Sequence, residues 1–252
     1  STFTKLQKQI DLKELIKAVP YLFEKTNAKM TNTRLETTLS CVLDYIVSYP
    51  AHLYGLWING EGFLGASPEI LFNQTSINTI ETVACAGTYF HDEKPFLTDN
   101  KLLLEHKIVV DGITSSLHAF GKIQLGEIRS QKFGELSHLI TPIELSLNDG
   151  LDFQNLVRAL HPTPALGAFP KNKGMLWLEQ YQMKLPRGRF GAPAGYFFND
   201  QARCIVAIRN VQWDRQGMKI GAGCGVVRGS EFELELKEIK LKLEATKKLL
   251  NL

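Results

Sequence analysis

The feature that most restricts the fold of this chain is the grouping of its predicted strands into consecutive runs. Four short apolar segments separated by Asn, Gly and Pro turns lie within residues 53–85, and three more lie within 194–222. Asn199-Asp200 is typical of a tight hairpin turn between two of the latter segments. Strands and helices that come in blocks, rather than in strict alternation, predict an α+β fold with antiparallel sheets.

Helical spacing of apolar residues predicts the remaining elements. The predicted helices cover residues 12–27, 31–48, 101–119, 153–160, 174–183 and 231–250. Pro20 is expected to kink or end a turn within the first of them. The sequence contains no internal repeat or linker, so residues 1–252 are predicted to form a single domain.

Composition excludes several classes of partner. The formal charge of +3 is too small to indicate nucleic-acid binding, and no apolar run approaches the ~20 residues that span a bilayer. The four cysteines are scattered without a metal-ligand spacing, which indicates buried thiols in a reducing compartment. The sequence therefore predicts a cytoplasmic protein that binds neither nucleic acid nor membrane.

The last quarter of the chain combines groups that suit a small polyanion. Arg209 lies on a probable strand, a glycine turn follows at 221–223, and a helix then carries Glu235, Glu238 and Lys242. These three residues have i,i+3 and i,i+4 spacing, so they lie along one helical face. Such a site could hold an anion through fixed cations and a metal ion. Alone, the helix could equally be a solvated face, with a Glu238–Lys242 pair contributing only ~0.3–0.5 kcal/mol.

Nine short motifs occur in one order along the chain. They are Gly-Ala-Ser-Pro-Glu at 65–69, Ala-Gly-Thr at 86–88, Glu-His-x-x-Val-Val at 105–110, His-Leu-x-Thr at 138–141, Leu-His-Pro-Thr-Pro-Ala at 160–165, Phe-Gly-x-x-x-Gly-Tyr at 190–196, Ala-Ile-Arg at 207–209, Gly-Ala-Gly at 221–223 and Glu-x-x-Glu-x-x-x-Lys at 235–242. This series resembles the catalytic domain of the chorismate-utilising enzymes from about Ser67 to Lys242. The resemblance implies antiparallel β-sheets packed as a sandwich, with helices on the outside.

The resemblance also implies roles for the acidic residues. Glu69 matches the family's general acid, which protonates the departing C4 hydroxyl of chorismate and needs a raised pKa. Glu105 and Glu238 match the two ligands of Mg²⁺, a cation that prefers hard oxygen donors. Glu235 would accept hydrogen bonds from metal-bound water.

A further set of residues is expected to contact chorismate. Arg209 matches the arginine that binds the enolpyruvyl carboxylate through a planar, bidentate guanidinium. The other expected substrate contacts are Ala86, Gly87, Thr88, His138, Thr141, Tyr196, Gly223 and Lys242.

Two positions help to distinguish among the reactions of this family. The aminodeoxychorismate branch usually has a lysine where this chain has Ala86, and the amide-transferring branches usually have Gly-Ala-Pro-Lys where it has residues 161–165. Both differences favour the isochorismate synthases, which add water at C2. Salicylate, aminodeoxychorismate and anthranilate synthesis remain alternatives, as does a chorismate-binding homologue with impaired catalysis. The pattern does not distinguish a menaquinone pathway from a siderophore pathway.

The water-activating base departs from the family pattern. Isochorismate synthases usually open this region with a K-x-x-L-x-R strand, and alignment on Leu6 and Lys8 places Phe3 at the lysine position. Lys5 would share a strand face with Phe3 and is predicted to act as a substitute base. A second departure is Leu102, where relatives usually have another acidic residue.

The N-terminal side of the chain is expected to be shortened. Relatives usually carry a further portion that completes the sheets. Without it, an exposed edge or apolar surface would need cover. A homodimer or another partner is therefore expected on that side.

Overall fold

The computed structural model describes residues 2–90, 99–133 and 136–252. Its helices are α1 (Thr2–Asp11), α2 (Asn32–Ser48), α3 (Asn100–Leu117), α4 (Phe153–Leu160), α5 (Lys171–Lys184) and α6 (Phe232–Leu250). Its strands are β1 (Lys17–Ala18), β2 (Tyr21–Thr26), β3 (His52–Ile58), β4 (Glu61–Ser67), β5 (Ile70–Ser76), β6 (Thr79–Phe90), β7 (Gly121–Leu125), β8 (Arg129–Phe133), β9 (Leu136–Leu147), β10 (Ala168–Phe169), β11 (Pro193–Phe198), β12 (Gln201–Val206), β13 (Asn210–Asp214), β14 (Gly217–Gly223) and β15 (Val226–Val227).

The strands form three sheets. The largest has the order β11-β12-β5-β6-β9-β7, with β8 also paired to β9, and a second has the order β2-β14-β13-β4-β3. A small third sheet has the order β10-β1-β15. Every strand pairing within the described ranges is antiparallel. The predicted α+β class with antiparallel sheets is confirmed.

The two large sheets share one hydrophobic core. Buried side chains from both join a single cluster, including Leu64 of β4 and Phe72 of β5. Val109 of α3 and Leu250 of α6 belong to the same cluster and are fully buried. Both helices therefore cover the sheets, and they are the two helices that carry the acidic residues expected to bind metal.

The structure corrects the prediction for the first 27 residues. Residues 2–11 form a helix because Leu6 and Ile10, four residues apart, bury one face of it. The helix predicted over residues 12–27 is absent, and β1 and β2 lie there instead. Pro20 separates these two strands, and its missing N–H and fixed φ oppose a continuous helix.

Edge strands of the two large sheets carry exposed apolar side chains. Leu56 and Ile58 of β3 are 62% and 70% exposed, and Phe197 and Phe198 of β11 are 55% and 69% exposed. Apolar edges of this kind are typical of surfaces that another chain or segment covers. The expected homodimer or partner stays a prediction. Across the described ranges, no helix is both long and apolar enough to cross a membrane.

Candidate active site

One cavity brings together residues from most of the predicted motifs. It lies where the ends of β4, β6 and β14 meet α3, α6 and the corner between β12 and β13. The predicted site residues that line it are Glu69, Ala86, Gly87, Thr88, Glu105, His138, Arg209, Gly223 and Lys242. An apolar part of the wall is formed by Val19, Ala165, Leu166, Phe190 and Ile208. The cavity therefore combines apolar walls with several charged groups, as a small ring that carries carboxylates requires.

Glu69 is held in the turn between β4 and β5. Ser67 Oγ donates to the carbonyl of Val206 (2.6 Å), and the Glu69 N–H donates back to Ser67 Oγ (3.2 Å). The Glu69 side chain is buried, and Thr163 Oγ1 donates to its Oε1 at 3.4 Å. Burial raises the pKa of Glu69 to about 7, although the Thr163 hydrogen bond and the charges of Lys17 and Lys242 oppose the shift. A carboxyl that keeps much of its proton near neutral pH can act as a general acid.

Lys17, which the sequence-based assignment missed, also lines this cavity. It lies on β1, pairs with Phe169 and Val227 of the neighbouring strands, and is 1% exposed. Its Nζ lies 2.9 Å from Oε1 of Glu105. A Cβ at Gly225 would lie 1.9 Å from that same oxygen, so glycine at this position leaves room for the ion pair. A buried ammonium requires such a partner.

The expected position of Lys5 beside the substrate is wrong. Lys5 lies on α1, is exposed and does not line the cavity. Phe3, which the alignment placed at the base position, packs its ring against Phe232 at 5.4 Å between centroids. The buried face of α1 packs against the core. Lys5 lies outside that face and points away from the site.

Arg209 lines the cavity from a strained corner. Its φ is 56°, in the left-handed region that non-glycine residues rarely adopt. Hydrogen bonds hold the flanking chain: Tyr54 Oη donates to the Ile208 carbonyl (2.7 Å), and Asn210 Nδ2 donates to Tyr54 Oη (2.8 Å) and to the Ala207 carbonyl (3.0 Å). A strained backbone of this kind is kept only where surrounding contacts hold it in place, and such positions are frequent at ligand-binding sites.

Two histidine–threonine pairs lie on β6, β9 and α3. His138 Nδ1 and Thr88 Oγ1 share a hydrogen bond of 3.1 Å, and both residues line the cavity. Burial, together with the charges of Lys242 and Arg209, lowers the pKa of His138 well below its usual range, so its imidazole is neutral. Thr141 instead bonds His106 Nε2 (2.7 Å) and does not line the cavity. Thr141 therefore supports α3 rather than contacting a ligand in the cavity.

Tyr196 is not at the site. It lies on the edge strand β11, is 52% exposed and does not line the cavity. The family resemblance implied a substrate contact for Tyr196, but its side chain lies at the surface of this edge strand. The predicted substrate contact at Tyr196 is therefore wrong.

Glu238 is linked to the cavity through Lys242, whereas Glu235 pairs with Lys101, which does not line the cavity. Lys242 Nζ lies 2.6 Å from Glu238 Oε1 and donates to the Gly223 carbonyl at 3.1 Å. Lys101 Nζ of α3 pairs with Glu235 Oε1 of α6. Neither glutamate lines the cavity directly.

The acidic groups of α3 and α6 nonetheless converge. The pKa of Lys242 is raised. Burial acts to lower it, but the Glu238 carboxylate and, more weakly, Cys224 and Glu105 raise it by more. Burial raises the pKa of the Cys224 thiol well above its usual range, and the Glu235, Glu238 and Glu105 carboxylates add to that shift. Glu105 and Glu238, on separate helices, therefore act on the same groups.

The carboxylate oxygens of Glu105 and Glu238 are hard donors of the kind that Mg²⁺ prefers. Within the described ranges, no three His, Cys, Asp or Glu side chains are arranged to hold one ion, because each predicted glutamate faces its own lysine. Mg²⁺ usually keeps several waters and needs only one or two protein carboxylates, so Glu105 and Glu238 would suffice. Glu235 Oε2 is buried and has no close hydrogen bond, although hydrogen bonding by the Ser230 side chain lowers the pKa of Glu235.

Comparisons with known proteins identify the family of this chain. The profile of the chorismate binding enzyme family matches residues 31–251. The isochorismate synthase MenF of Bacillus subtilis is 30% identical over 225 residues, which are 84% of this chain and 46% of that protein. Anthranilate synthase component 1 of Methanothermobacter thermautotrophicus is 26% identical over 247 residues, 92% of this chain and 53% of that protein.

Comparison with solved structures finds proteins of the same kind. The menaquinone-specific isochorismate synthase MenF of Escherichia coli superimposes with a TM-score of 0.83 at 24% identity, covering 98% of this chain and 59% of that one. The chain spans about half the length of the curated relatives that it matches. From the family profile and these relatives, the chain belongs to the chorismate binding enzyme family.

Proposed function

We propose that this protein converts chorismate to isochorismate. The observation that carries the proposal is a buried carboxyl with a raised pKa, Glu69, which lines the same cavity as the amine of Lys17 and the guanidinium of Arg209. An acid, a candidate base and an anchor for a carboxylate are the groups that this isomerisation needs.

Glu69 would supply the proton that the leaving group requires. Water adds to C2 of the ring, the ring double bonds shift, and the C4–O bond breaks. Hydroxide is a poor leaving group, so Glu69 donates its proton to the C4 oxygen as that bond breaks. The oxygen leaves as water, and the overall reaction is an isomerisation.

Lys17 would take the proton from the attacking water. Its side chain is buried at the cavity wall, where an ion pair with Glu105 holds its Nζ in place. An amine is a base only when it is neutral. Lys17 must therefore give up its proton before it can accept one from the attacking water.

The cationic groups would bind and orient the two carboxylates of chorismate. Arg209 can bind one of these carboxylates through two parallel hydrogen bonds. Lys242 lines the cavity from α6. Glu105 and Glu238 would hold Mg²⁺, which supplies positive charge for the ring carboxylate when bound. Fixed charges of this kind lower the barrier because they need no reorganisation during the reaction.

The nature of residue 86 favours water over an enzyme-bound amine as the nucleophile. Ala86 lines the cavity without a functional group, so no side chain at this position can attack the ring. The second candidate is anthranilate-type chemistry with external ammonia, since an anthranilate synthase component is among the relatives.

The product of the reaction tests the proposal. Incubation with chorismate and Mg²⁺, with and without ammonia, is expected to yield isochorismate in both cases, identified by chromatography against standards. An aminated product that needs ammonia would favour the second candidate. Chorismate binding without turnover would instead indicate an impaired homologue.

The pH dependence of turnover should report the acid. Because the pKa of Glu69 is raised to about 7, its protonated form predominates below that pH and declines above it. We expect kcat/KM to fall about tenfold per pH unit on the alkaline side, in an assay from about pH 6 to about pH 9. Residual activity in a Glu69→Gln variant should lack this decline, and a flat wild-type profile would contradict the acid role.

A further inference from the structure

Lys101 lies between the two helices that carry the proposed metal ligands. On α3 it precedes Glu105 by four residues, one helical turn, so the two side chains share a face. Its Nζ contacts Glu235, which precedes Glu238 by three residues on α6. The ammonium of Lys101 therefore joins the acidic faces of both helices.

The three carboxylates all act on this one ammonium. The pKa of Lys101 is raised. Burial acts to lower it, but the hydrogen bond and charge of Glu235 and the charges of Glu105 and Glu238 together raise it by more. The same carboxylates would attract a divalent cation. Like charges in one cluster repel each other, so the ammonium and the metal ion oppose each other there.

Solvent access distinguishes Lys101 from the other two lysines paired with these glutamates. The side chain of Lys17 is 1% exposed and that of Lys242 is 17% exposed, whereas that of Lys101 is 32% exposed. A flexible four-carbon stem lets a lysine move its charge into water. Lys101 is thus the partner that can withdraw from the cluster while the other two stay in place.

We propose that Lys101 is a tethered counter-ion, which competes with the divalent cation for the glutamates of α3 and α6 and so weakens cation binding in the free protein. This inference rests on the proposed function, because it takes Glu105 and Glu238 as the metal ligands. It assigns Lys101 a part in tuning the site, separate from contact with chorismate.

Direct cation binding tests the inference without turnover. In titration calorimetry of the chorismate-free protein with Mg²⁺, the Lys101→Met variant is expected to bind about tenfold more tightly than wild type, because a repelling charge is gone. Its melting temperature without Mg²⁺ should be lower, since buried Glu235 loses its partner. Added Mg²⁺ should then raise that temperature more than in wild type.

Three further variants control for structure and charge. Lys107→Met changes the same residue type on the same helix, in an exposed pair with Asp111, and should leave Mg²⁺ affinity unchanged. Lys101→Arg retains the charge and should bind Mg²⁺ as wild type does. Lys101→Gln keeps a hydrogen-bond donor for Glu235 without the charge, so it should show the tightening even if the Met variant folds poorly.

Unchanged or weaker Mg²⁺ binding in folded Lys101→Met and Lys101→Gln would overturn the inference. If wild type still produces isochorismate in that case, the proposed function stands and only the role of Lys101 falls. If wild type neither turns over chorismate nor binds Mg²⁺ in its presence, the proposed function and this inference fall together.

Discussion

Replacing Glu69 by Gln is expected to abolish chorismate turnover while leaving chorismate affinity largely unchanged. Glutamine keeps the size of the side chain and can still contact Thr163, but its amide has no proton to give to the leaving oxygen. Loss of a general acid typically costs ~10²–10⁴-fold in rate. We expect kcat to fall by that factor, with the dissociation constant for chorismate, measured by calorimetry, within about threefold of wild type, the spread expected when no contact is lost.

A matched control lies on the strand that leads to Glu69. Glu61 of β4 is exposed and does not line the cavity, so Glu61→Gln should retain full activity. Because Glu69 is buried and its pKa is raised to about 7, much of it is already neutral near neutral pH, and its neutral replacement should change the melting temperature little. Near-normal turnover in Glu69→Gln would refute the assignment of the acid.

Replacing Lys17 by Met should have the second large effect. Without the amine, no side chain would take the proton from the attacking water, and we expect kcat to fall ~10²–10⁴-fold. The change also leaves Glu105 buried without its partner, and breaking a buried ion pair typically costs about 3–5 kcal/mol of stability. The melting temperature must therefore be measured beside kcat. Lys17→Met, Glu105→Gln would restore stability without restoring the base.

Lys5 provides the control for that variant. It is an exposed lysine of α1, outside the cavity, so Lys5→Ala should turn over chorismate at the wild-type rate. If Lys5→Ala lost water addition while folded Lys17→Met retained it, the base would be on α1 and the assignment to Lys17 would be wrong.

The helices that carry the site were predictable because their signals are local. The Asp99 side chain caps α3, accepting from the N–H groups of Lys101 and Leu102, and apolar residues recur along α3 at helical spacing. The helical face of Glu238 and Lys242 likewise follows from sequence separation alone, and the structure shows these two residues in contact at 2.6 Å.

The place of Lys17 in the cavity was not predictable by the same reasoning. If the family's K-x-x-L-x-R pattern is aligned on Lys17, Pro20 and Leu22 replace its leucine and arginine, so the motif carries little signal. The surrounding apolar residues fit a helical period as well as a strand. Pro20 was the one local sign against the helix.

The amino-acid sequence alone determined the chemical groups available: a carboxyl beside a Ser-Pro turn, an arginine that follows an apolar segment, and glutamates placed on helical faces. These depend on residue type and on spacing within one element. Only the tertiary structure decided that Lys17, rather than Lys5, meets these groups, because β1 is two residues long and is held between β10 and β15 from distant parts of the chain. Burial also sets the pKa of Glu69, and burial is a property of the assembled core, which no single segment contains.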